Sequence, residues 1–312
     1  MSDCKKQPFF TVFIPSYNRE KTLPRLFRSL GAQSFTDFEV VFVDDGSTDG
    51  TRQVVDEWRD KLKQPVRYLY QPNMGKPSAR NAGVAMARGF MFKTVDSDDI
   101  LDADGLRRLH EEWGSIEGDK SKCAGVVGLC LDYGTGRVLG RPFPNAPVHS
   151  THAACRELFE VTGDKSQCVR TDIMKKYPYP VLSGEKWIAE SLVWNRIGLH
   201  HTFRFVNRVI KHVEYQDDGL SSQAISLRCA NARGATLYYS EYLDKILPSL
   251  GNPRKAVFRT KINLVRFSHH SKHHQWGITT QSHRPSAEDV ACFLIGSLVY
   301  VRDRWLLQRG SK

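Results

Sequence analysis

The first hundred residues alternate between short apolar runs and stretches with helical periodicity, and this alternation limits the possible folds more than any other feature. The apolar runs predict four buried strands, at 9–15, 38–44, 66–71 and 90–96. The stretches between them predict helices, at 21–33, 51–62 and 78–88. Apolar strands separated by helices are typical of a parallel, doubly wound sheet. We therefore expect an α/β fold with a Rossmann-like, mostly parallel sheet flanked by helices.

Polar residues follow three of the predicted strands, at the point where each strand ends. Their sequences are Pro15-Ser16-Tyr17-Asn18, Asp44-Asp45-Gly46-Ser47 and Asp96-Ser97-Asp98-Asp99. Sheets of this type bind ligands beyond the carboxyl ends of their strands, which lie at one edge when the strands are parallel. We therefore expect the three clusters to form a single binding site.

Three carboxylates, those of Asp96, Asp98 and Asp99, lie within four residues directly after an apolar strand. Like charges this close repel one another unless a cation or hydrogen-bond donors offset them. Mg²⁺ or Mn²⁺ suits such oxygen ligands and can bridge to a diphosphate, where it neutralises charge on a leaving group. The alternative is an acidic turn that caps a helix, since Asp also favours that position.

The acidic turn at 44–51 also has two interpretations. Gly46, Ser47 and Asp49 are turn formers, and Asp49 can cap the helix that follows. Asp44 and Asp45 can instead accept hydrogen bonds from a base or a ribose above the sheet edge. We expect both roles to coexist in this turn.

After residue 102 the pattern loosens, but it still predicts a strand at 124–133, a loop at 134–147 and a helix at 185–197. Two further strands correspond to the sequences FRFV and VIKHVEY. From about residue 222 the chain is helical in pattern and strongly basic. We expect a first domain at 1–222 and a basic, helical C-terminal region at 223–312.

The formal net charge of +11 calls for an anionic partner, such as a membrane surface, a phosphorylated substrate or nucleic acid. Hydrophobic residues at 40% and charged residues at 25% are ordinary for a globular protein. The seven cysteines contain no CxxC motif, and the amino end lacks the apolar run of a secretory signal, which together favour a reducing cytoplasm. No apolar run reaches the roughly 18 residues that a membrane span requires.

Four motifs, in order and spacing, resemble the family 2 glycosyltransferases of the GT-A fold. They are TVFIPSYNRE, VVFVDDGSTDGT, QPNMGKPSARNAG and VDSDDIL, and the resemblance is strong over 9–106 and weaker to about residue 222. It implies an inverting glycosyltransferase, of hexosyl or N-acetylhexosaminyl type, that uses a nucleotide sugar and Mn²⁺ or Mg²⁺. UDP is the commonest nucleotide of that family. A glycan or polyprenol-linked acceptor in cell-surface polysaccharide synthesis would suit the basic surface.

The resemblance assigns a role to each matching residue of the three clusters. Asp44 or Asp45 would bond the base, and Asp96 would contact the ribose. The full set expected to contact the nucleotide sugar is Pro15, Tyr17, Asn18, Glu20, Asp44, Asp45, Lys76, Arg80, Asp96 and Ser97.

The resemblance makes Asp98 the metal ligand, with Asp99 orienting the metal's water ligands. His212 is a further candidate near the metal or the diphosphate, although a lone histidine in a strand also fits a structural role. The sequence YQDDGLSSQ, at 215–223, resembles the family's flexible loop that folds over the donor, and it also fits a plain Asp-Gly turn.

The catalytic base of the inverting members is an acidic residue at the start of a helix in the second half. The sequence GEKWIAESLVWNRIG, at 184–198, resembles that segment, and alignment on Trp194 puts Glu190 at the base position. The usual pair of adjacent acids is missing, since Ala189 precedes Glu190. We expect Glu190 to be the base, with Glu185 as the alternative. The structural interpretation of Glu190 is a solvated helix residue paired with Lys186.

The C-terminal region contains the cluster HHSKHH, at 269–274, and an amphipathic end at 293–312. Histidines four residues apart can share a metal on a helix, but no carboxylate or cysteine completes a site there, so we expect a solvated helix face. The end of the chain either lies in an anionic membrane interface or packs on the first domain or a second subunit. Its apolar residues alternate with Arg302, Arg304, Trp305, Arg309 and Lys312.

Two other functions compete with glycosyl transfer. A sugar-phosphate nucleotidyltransferase also uses an α/β sheet with acidic metal ligands, but it needs a glycine-rich basic loop after the first strand, and PSYNREKT has no glycine. A non-catalytic basic module that binds nucleotides or nucleic acid would fit the net charge. The sequence contains no nucleic-acid-binding signature, and we expect no nucleic-acid partner.

Overall fold

The computed structural model describes residues 7–214, 224–271 and 285–309. The strands in these ranges are β1 Phe10–Ser16, β2 Phe38–Asp44, β3 Val66–Tyr70, β4 Met91–Thr94, β5 Ile100–Leu101, β6 Cys123–Asp132, β7 Val148–Ser150, β8 Lys165–Arg170 and β9 Thr202–Val213. The first helices are α1 Leu23–Gly31, α2 Thr51–Lys61, α3 Lys76–Met86, α4 Gly105–Gly114, α5 His152–Glu157, α6 Thr171–Lys176 and α7 Ser191–Gly198. The remaining helices are α8 Ala224–Ala230, α9 Ala232–Glu241, α10 Leu247–Ser249, α11 Arg254–Ser271 and α12 Ala287–Arg309.

All of these strands belong to one sheet, in the order β3-β2-β1-β4-β8-β6-β9-β5, with β7 paired to β9. The first four strands along the chain are parallel, and β1 and β2 are buried along their whole length. Burial on both faces explains why their sequences are continuous apolar runs. The predicted α/β fold, with a mostly parallel central sheet flanked by helices and a helical C-terminal region, is confirmed.

Helix α1 shows how a helix covers this sheet. Its apolar residues recur at helical spacing, and Leu23, Leu26, Phe27 and Leu30 are buried. The ring of Phe27 stacks on Phe42 of β2 at 6.2 Å between centroids. Each of these side chains contributes about 2 kcal/mol by leaving water, and replacing Phe27 with alanine would cost about 3–5 kcal/mol.

Two predictions for the second half differ from the structure. The sequence FRFV and the first five residues of VIKHVEY form one strand, β9, which ends at Val213 and whose pairing with β6 shifts register at three points. The helix predicted at 185–197 begins only at Ser191. Its first part is not helical because the amides of Lys186 and Trp187 donate to the side chain of Asn231, at 2.9 and 3.1 Å.

The chain divides into two compact units. The first consists of Met1–Tyr179 and Arg196–Tyr215, and it contains the whole sheet. The second consists of Pro180–Asn195 and Gln216–Lys312. The division at residue 222 stays a prediction. Among the helices in the described ranges, none is both long enough and apolar enough to cross a bilayer.

Candidate functional site

The loops after β1 and β2 are joined by hydrogen bonds between their side chains and backbones. Asn18 adopts a left-handed backbone, with φ at 51°, and its Oδ1 accepts from the amide of Thr48 at 2.8 Å. The amide of Asn18 donates to Ser47 Oγ at 2.9 Å. The carboxylate of Glu20 accepts from the amide of Gly50 at 2.7 Å, next to the start of α2. Asn18 and Glu20 therefore shape the rim of the sheet edge.

The carboxylate of Asp44 is buried and has two partners in the first unit. One oxygen accepts from the amide of Ser47 at 2.8 Å, and the other accepts from the hydroxyl of Tyr68 at 2.7 Å. Burial, and next the Asp44 carboxylate, raises the pKa of Tyr68 to about 12. Tyr68 therefore stays protonated and keeps donating to Asp44 at neutral pH.

The carboxylate of Asp45 is also buried and holds the loop that precedes α3. It accepts from the amides of Met74 and Gly75, at 2.9 and 2.7 Å, and from the side chain of Gln71 at 2.7 Å. Gly75 has a φ of +90°, which a residue with a side chain rarely adopts. Both aspartates thus have structural roles here, and their contact with a base stays a prediction.

Tyr17 is an exposed aromatic residue that directly follows β1. Its side chain is 46% exposed, whereas Pro15 is buried and lies opposite Val43 in the parallel pairing of β1 and β2. The proline fixes the backbone just before the loop turns at Asn18. This places a planar apolar surface where a nucleotide base could stack.

Asp96 follows β4 and is held by two cations from α3. Its Oδ1 lies 2.8 Å from the ammonium of Lys76 and 4.0 Å from the guanidinium of Arg80. Burial alone would raise the pKa of Asp96, but Lys76, and then Lys211 and Arg80, hold this pKa well below its usual range. Asp96 is therefore ionised throughout the physiological range.

The backbone on either side of the Asp98 side chain is fixed by α1. Thr22 Oγ1 donates to the carbonyl of Ser97, and Arg25 Nη2 donates to the carbonyl of Asp98, both at 2.8 Å. Burial, and next the nearby Asp96 carboxylate, raises the pKa of Asp98. Two repelling carboxylates on a fixed backbone fit a hard divalent cation such as Mg²⁺ or Mn²⁺.

Asp99 and His212 have partners of their own in the first unit. Asp99 is buried and forms an ion pair with Lys211. Burial raises the pKa of Asp99 to about 6, although the ammonium of Lys211 opposes this shift. The Nε2 of His212 lies 3.2 Å from Oδ2 of Asp102. Roles for Asp99 and His212 at a metal stay predictions.

Several residues that support this edge are not among the site residues predicted from the sequence. Arg25 joins the Asp98 loop to the end of β9 through Glu214, at 2.6 Å and across 189 residues of sequence. Lys93 is fully buried and donates to Ser166 Oγ at 2.6 Å. Only Lys93 gave a visible signal, as a lysine inside an apolar strand.

Tyr179 is fixed to α3 immediately before the chain enters the second unit. Its backbone amide and carbonyl bond to the side chain of Asn81, at 2.9 and 2.8 Å. Its hydroxyl accepts from Arg80 at 2.9 Å, and the guanidinium also lies over its ring. Arg80 therefore contacts both Asp96 and Tyr179, the last residue of the first unit's N-terminal segment.

The two candidate bases belong to the second unit and have different environments. The carboxylate of Glu185 accepts from the amides of Arg233 and Gly234, both at 2.8 Å, at the start of α9. The guanidinium of Arg233 lies 3.5 Å from it. Glu190 is half-buried and directly precedes α7, where its carbonyl accepts from the amide of Val193 at 3.1 Å. Glu190 thus lies just before α7 and not within it, and both its role as the base and its structural interpretation stay predictions.

The segment 215–223, which resembles a donor-covering loop, lies outside the described residues, as do His273 and His274.

Residues 11–135 match the model of the family described as glycosyl transferase family 2. This stretch contains the three polar clusters together with Lys76 and Arg80. The chain carries a family 2 glycosyltransferase domain. Two curated relatives match parts of this chain. The poly(ribitol-phosphate) beta-N-acetylglucosaminyltransferase TarS of Staphylococcus aureus is 42% identical over 100 residues, which are 31% of this chain and 18% of TarS. A chondroitin synthase of Escherichia coli is 38% identical over 109 residues, which are 35% of this chain and 16% of the synthase.

The chain therefore spans less than a fifth of the length of these two relatives. Solved structures cover far more of it. S. aureus TarS 1–349 in complex with UDP-GlcNAc has a TM-score of 0.59 and 21% identity, covering 94% of this chain and 81% of that one. The mannosyltransferase PcManGT of Pyrobaculum calidifontis, in complex with GDP-Man and Mn2+, has a TM-score of 0.56 and 15% identity, covering 97% and 86%. These likenesses show that the family 2 domain has the GT-A fold.

The extent of the family match separates two groups of predicted residues. All those expected to hold the nucleotide sugar, from Pro15 to Ser97, lie in the family 2 domain, as do Asp98 and Asp99. Glu185, Glu190 and His212 lie beyond residue 135. The donor side of the site thus has support from the family match, and the base does not.

Proposed function

We propose that this protein is an inverting glycosyltransferase that moves a sugar from a UDP-sugar to a glycan or polyprenol-linked acceptor in cell-surface polysaccharide synthesis. The observation that carries the proposal is the arrangement of Lys76, Arg80, Asp96 and Asp98 at the carboxyl edge of a family 2 domain. The names of the relatives, an N-acetylglucosaminyltransferase and a chondroitin synthase, favour a hexosyl or N-acetylhexosaminyl donor.

The donor end of the reaction uses charges that are already in place. Asp98 would hold Mn²⁺ or Mg²⁺, which when bound neutralises charge on the departing nucleoside diphosphate. Tyr17 stacks on the base, and the ionised Asp96 accepts a hydrogen bond from a ribose hydroxyl. Lys76 stays close to Asp96 and presents the remaining positive charge to the diphosphate.

The acceptor end of the reaction needs a carboxylate that can take a proton. Glu190 removes the proton of the acceptor hydroxyl, whose oxygen attacks the anomeric carbon while the bond to the diphosphate breaks on the opposite face. Direct displacement of this kind inverts the anomeric configuration. We favour Glu190 over Glu185 because alignment on Trp194 puts Glu190 at the family's base position, and the Glu185 carboxylate accepts from two backbone amides at the start of α9.

We also propose that α12 lies on an anionic membrane surface, which would bring the enzyme to lipid-linked acceptors. Exposed apolar residues recur along α12 at spacings of three and four, within about 80° of the helix circumference. They are Val290, Leu294, Leu298, Val301 and Trp305. Arg302 and Arg304 flank this stripe on its two sides, whereas Asp303 is buried on the opposite side. Cations beside an apolar stripe complement anionic lipid headgroups.

A thermal-shift screen of nucleotide sugars tests the donor assignment. UDP-sugars and GDP-sugars are added with and without Mn²⁺, because a ligand at 100 times its Kd adds about 2.7 kcal/mol to the free energy of unfolding. We expect stabilisation by a UDP-sugar that depends on Mn²⁺ and that is accompanied by slow release of UDP. Pyrophosphate release from a nucleoside triphosphate and a sugar phosphate would instead identify a nucleotidyltransferase.

Asp98→Asn tests the same assignment at the metal, with Asp119→Asn as the matched control. Asp119 is an exposed aspartate that only caps the turn Lys120–Lys122. The Asp98 variant should keep its fold and lose the Mn²⁺-dependent stabilisation, whereas the Asp119 variant should keep both. Unchanged Mn²⁺-dependent turnover in Asp98→Asn would overturn the proposed metal site.

A further inference from the structure

Three side chains from three different helices of the second unit converge on one point. They are Cys229 of α8, His270 of α11 and Asp303 of α12. Cys229 Sγ lies 3.4 Å from His270 Nε2, and His270 Nε2 lies 3.3 Å from Asp303 Oδ2. The third side of the triangle, from Sγ to Oδ2, measures 4.0 Å. A cysteine and a carboxylate thus join the histidine cluster, contrary to the expected solvated helix face.

These distances are close to those around a tetrahedral transition-metal ion. With metal–sulfur bonds of about 2.3 Å and metal–nitrogen or metal–oxygen bonds of about 2.0–2.1 Å, the ligand atoms lie about 3.3–3.6 Å apart. Two of the three observed separations match that range. The third, from Cys229 Sγ to Asp303 Oδ2, is longer, and the two side chains would have to move slightly closer when an ion binds. Cys229 is half-buried, which leaves a way in for an ion.

The surroundings of the cluster resemble the support that metal ligands receive in proteins. Asp303 is fully buried, and its two oxygens accept from Arg266, with the Nη2–Oδ1 bond at 2.8 Å. A second partner of this kind orients a ligating carboxylate. The Nε2 atom of the His270 imidazole lies within 3.4 Å of both Cys229 Sγ and Asp303 Oδ2, so this nitrogen would be the ligating atom. The ring of Tyr300 packs edge-on against the imidazole at 4.7 Å.

We propose that Cys229, His270 and Asp303 bind a divalent transition metal of the zinc class that ties α8, α11 and α12 together. The Cys229 thiol releases its proton to solvent as sulfur binds the ion, and a water molecule fills the fourth position. The thiolate and the carboxylate bring two negative charges to the ion, and the Arg266 guanidinium leaves one positive charge beside the carboxylate. Sulfur and imidazole ligands select Zn²⁺ or Co²⁺, whereas the oxygen ligands near Asp98 suit Mg²⁺ or Mn²⁺. The two sites therefore differ in the metals they prefer.

Thiolate ligation makes the affinity of this site dependent on pH. One proton must leave for each ion that binds, so the affinity should rise about tenfold per pH unit near neutrality. A cluster held only by hydrogen bonds would bind no metal, so no metal affinity that rises with pH would be measured.

Co²⁺ titration of the full-length chain provides the test, in an Asp98→Asn background so that the donor site does not contribute. We expect a thiolate-to-cobalt absorption band that saturates at one ion per chain and disappears when Zn²⁺ is added. Cys229→Ser should abolish the band and weaken Zn²⁺ binding at least about tenfold. Cys292→Ser, which removes another thiol of the same unit, should leave both unchanged.

A histidine pair supplies a second control that does not depend on sulfur. His270→Gln should lose the rise in thermal midpoint that Zn²⁺ gives the parent chain, whereas His269→Gln, whose nitrogen bonds Ser297 at 3.0 Å, should keep it. The proposal is overturned if the parent chain shows no thiolate band, or if the band persists in Cys229→Ser. These readouts do not involve glycosyl transfer, so they are independent of the proposed function.

Discussion

The ammonium of Lys76 lies 2.8 Å from Oδ1 of Asp96, so the first residue of α3 and the second residue after β4 form one charged pair at the sheet edge. The pair keeps Asp96 ionised, since the Lys76 charge opposes the rise in pKa that burial would cause. It also holds Lys76 in place before any phosphate arrives. Replacement of Lys76 should therefore weaken the binding of both the ribose, which Asp96 is proposed to contact, and the diphosphate, which Lys76 is proposed to contact.

Lys76→Met should lower kcat/KM for the donor about 10- to 100-fold, which corresponds to about 1.4–2.7 kcal/mol of lost transition-state binding. Lys76→Arg keeps the charge and should recover part of the loss. Steady-state release of UDP at several donor concentrations measures both variants, with the exposed Lys63→Met as the control. Equal kcat/KM in Lys76→Met and the parent enzyme would exclude a role for this charge pair.

Glu190→Gln should reduce kcat for transfer about 10²- to 10⁴-fold while donor binding stays the same, because only the proton acceptor is lost. Glu185→Gln should behave in the opposite way. Its carboxylate caps α9, so its loss should lower the free energy of unfolding by about 1 kcal/mol with little change in kcat. Transfer assays and urea unfolding of both variants separate these roles. A slow Glu185 variant with a normal Glu190 variant would reverse the assignment.

Lys93 should contribute a rise in stability at alkaline pH. Burial, and next the charge of Lys211, lowers the pKa of Lys93 to about 8, whereas an unfolded lysine has its usual value of 10.5. Between these values the unfolded state binds more protons than the native state, so the free energy of unfolding increases with pH. Between about pH 7 and about pH 9.5 the gain is about 2 kcal/mol. The free energy of unfolding of Lys93→Met, measured with urea, should lack this increase. If it depends on pH in the same way in Lys93→Met and in the parent protein, the pKa of Lys93 is not lowered by burial.

Leu298→Glu combined with Val301→Glu should weaken binding to anionic vesicles at least tenfold without changing donor turnover in solution. These side chains are 70% and 61% exposed in the middle of the α12 stripe. Sedimentation with vesicles of phosphatidylglycerol and phosphatidylcholine measures the effect. Leu158→Glu, another exposed apolar position, is the control. Binding that is equal in all variants, or a chain that binds no vesicles, would exclude membrane contact through α12.

The sequence predicted that the three polar loops lie at one edge of the sheet, because that placement depends on local rules, and the roles of their residues stay predictions. Apolar runs marked β1, β2 and β4, and the carboxyl ends of parallel strands must lie at one edge, so Tyr17, Asp44 and Asp96 could be placed together. Helical periodicity misled at 185–197, since Asn231 bonds the backbone of this segment from 44 and 45 residues away. The contacts of Arg25 with Glu214 and of Cys229 with Asp303 could not be predicted from local sequence patterns, because the partners are 189 and 74 residues apart.

The hydrogen bonds that join the loops after β1 and β2 have a consequence for the heat of donor binding. Asn18 and Glu20 already order the rim with Ser47, Thr48 and Gly50. Donor binding then buries surface against a preformed edge instead of folding these loops. Calorimetry should accordingly show a small heat-capacity change for this part of the site, so that the enthalpy of donor binding varies only slightly with temperature.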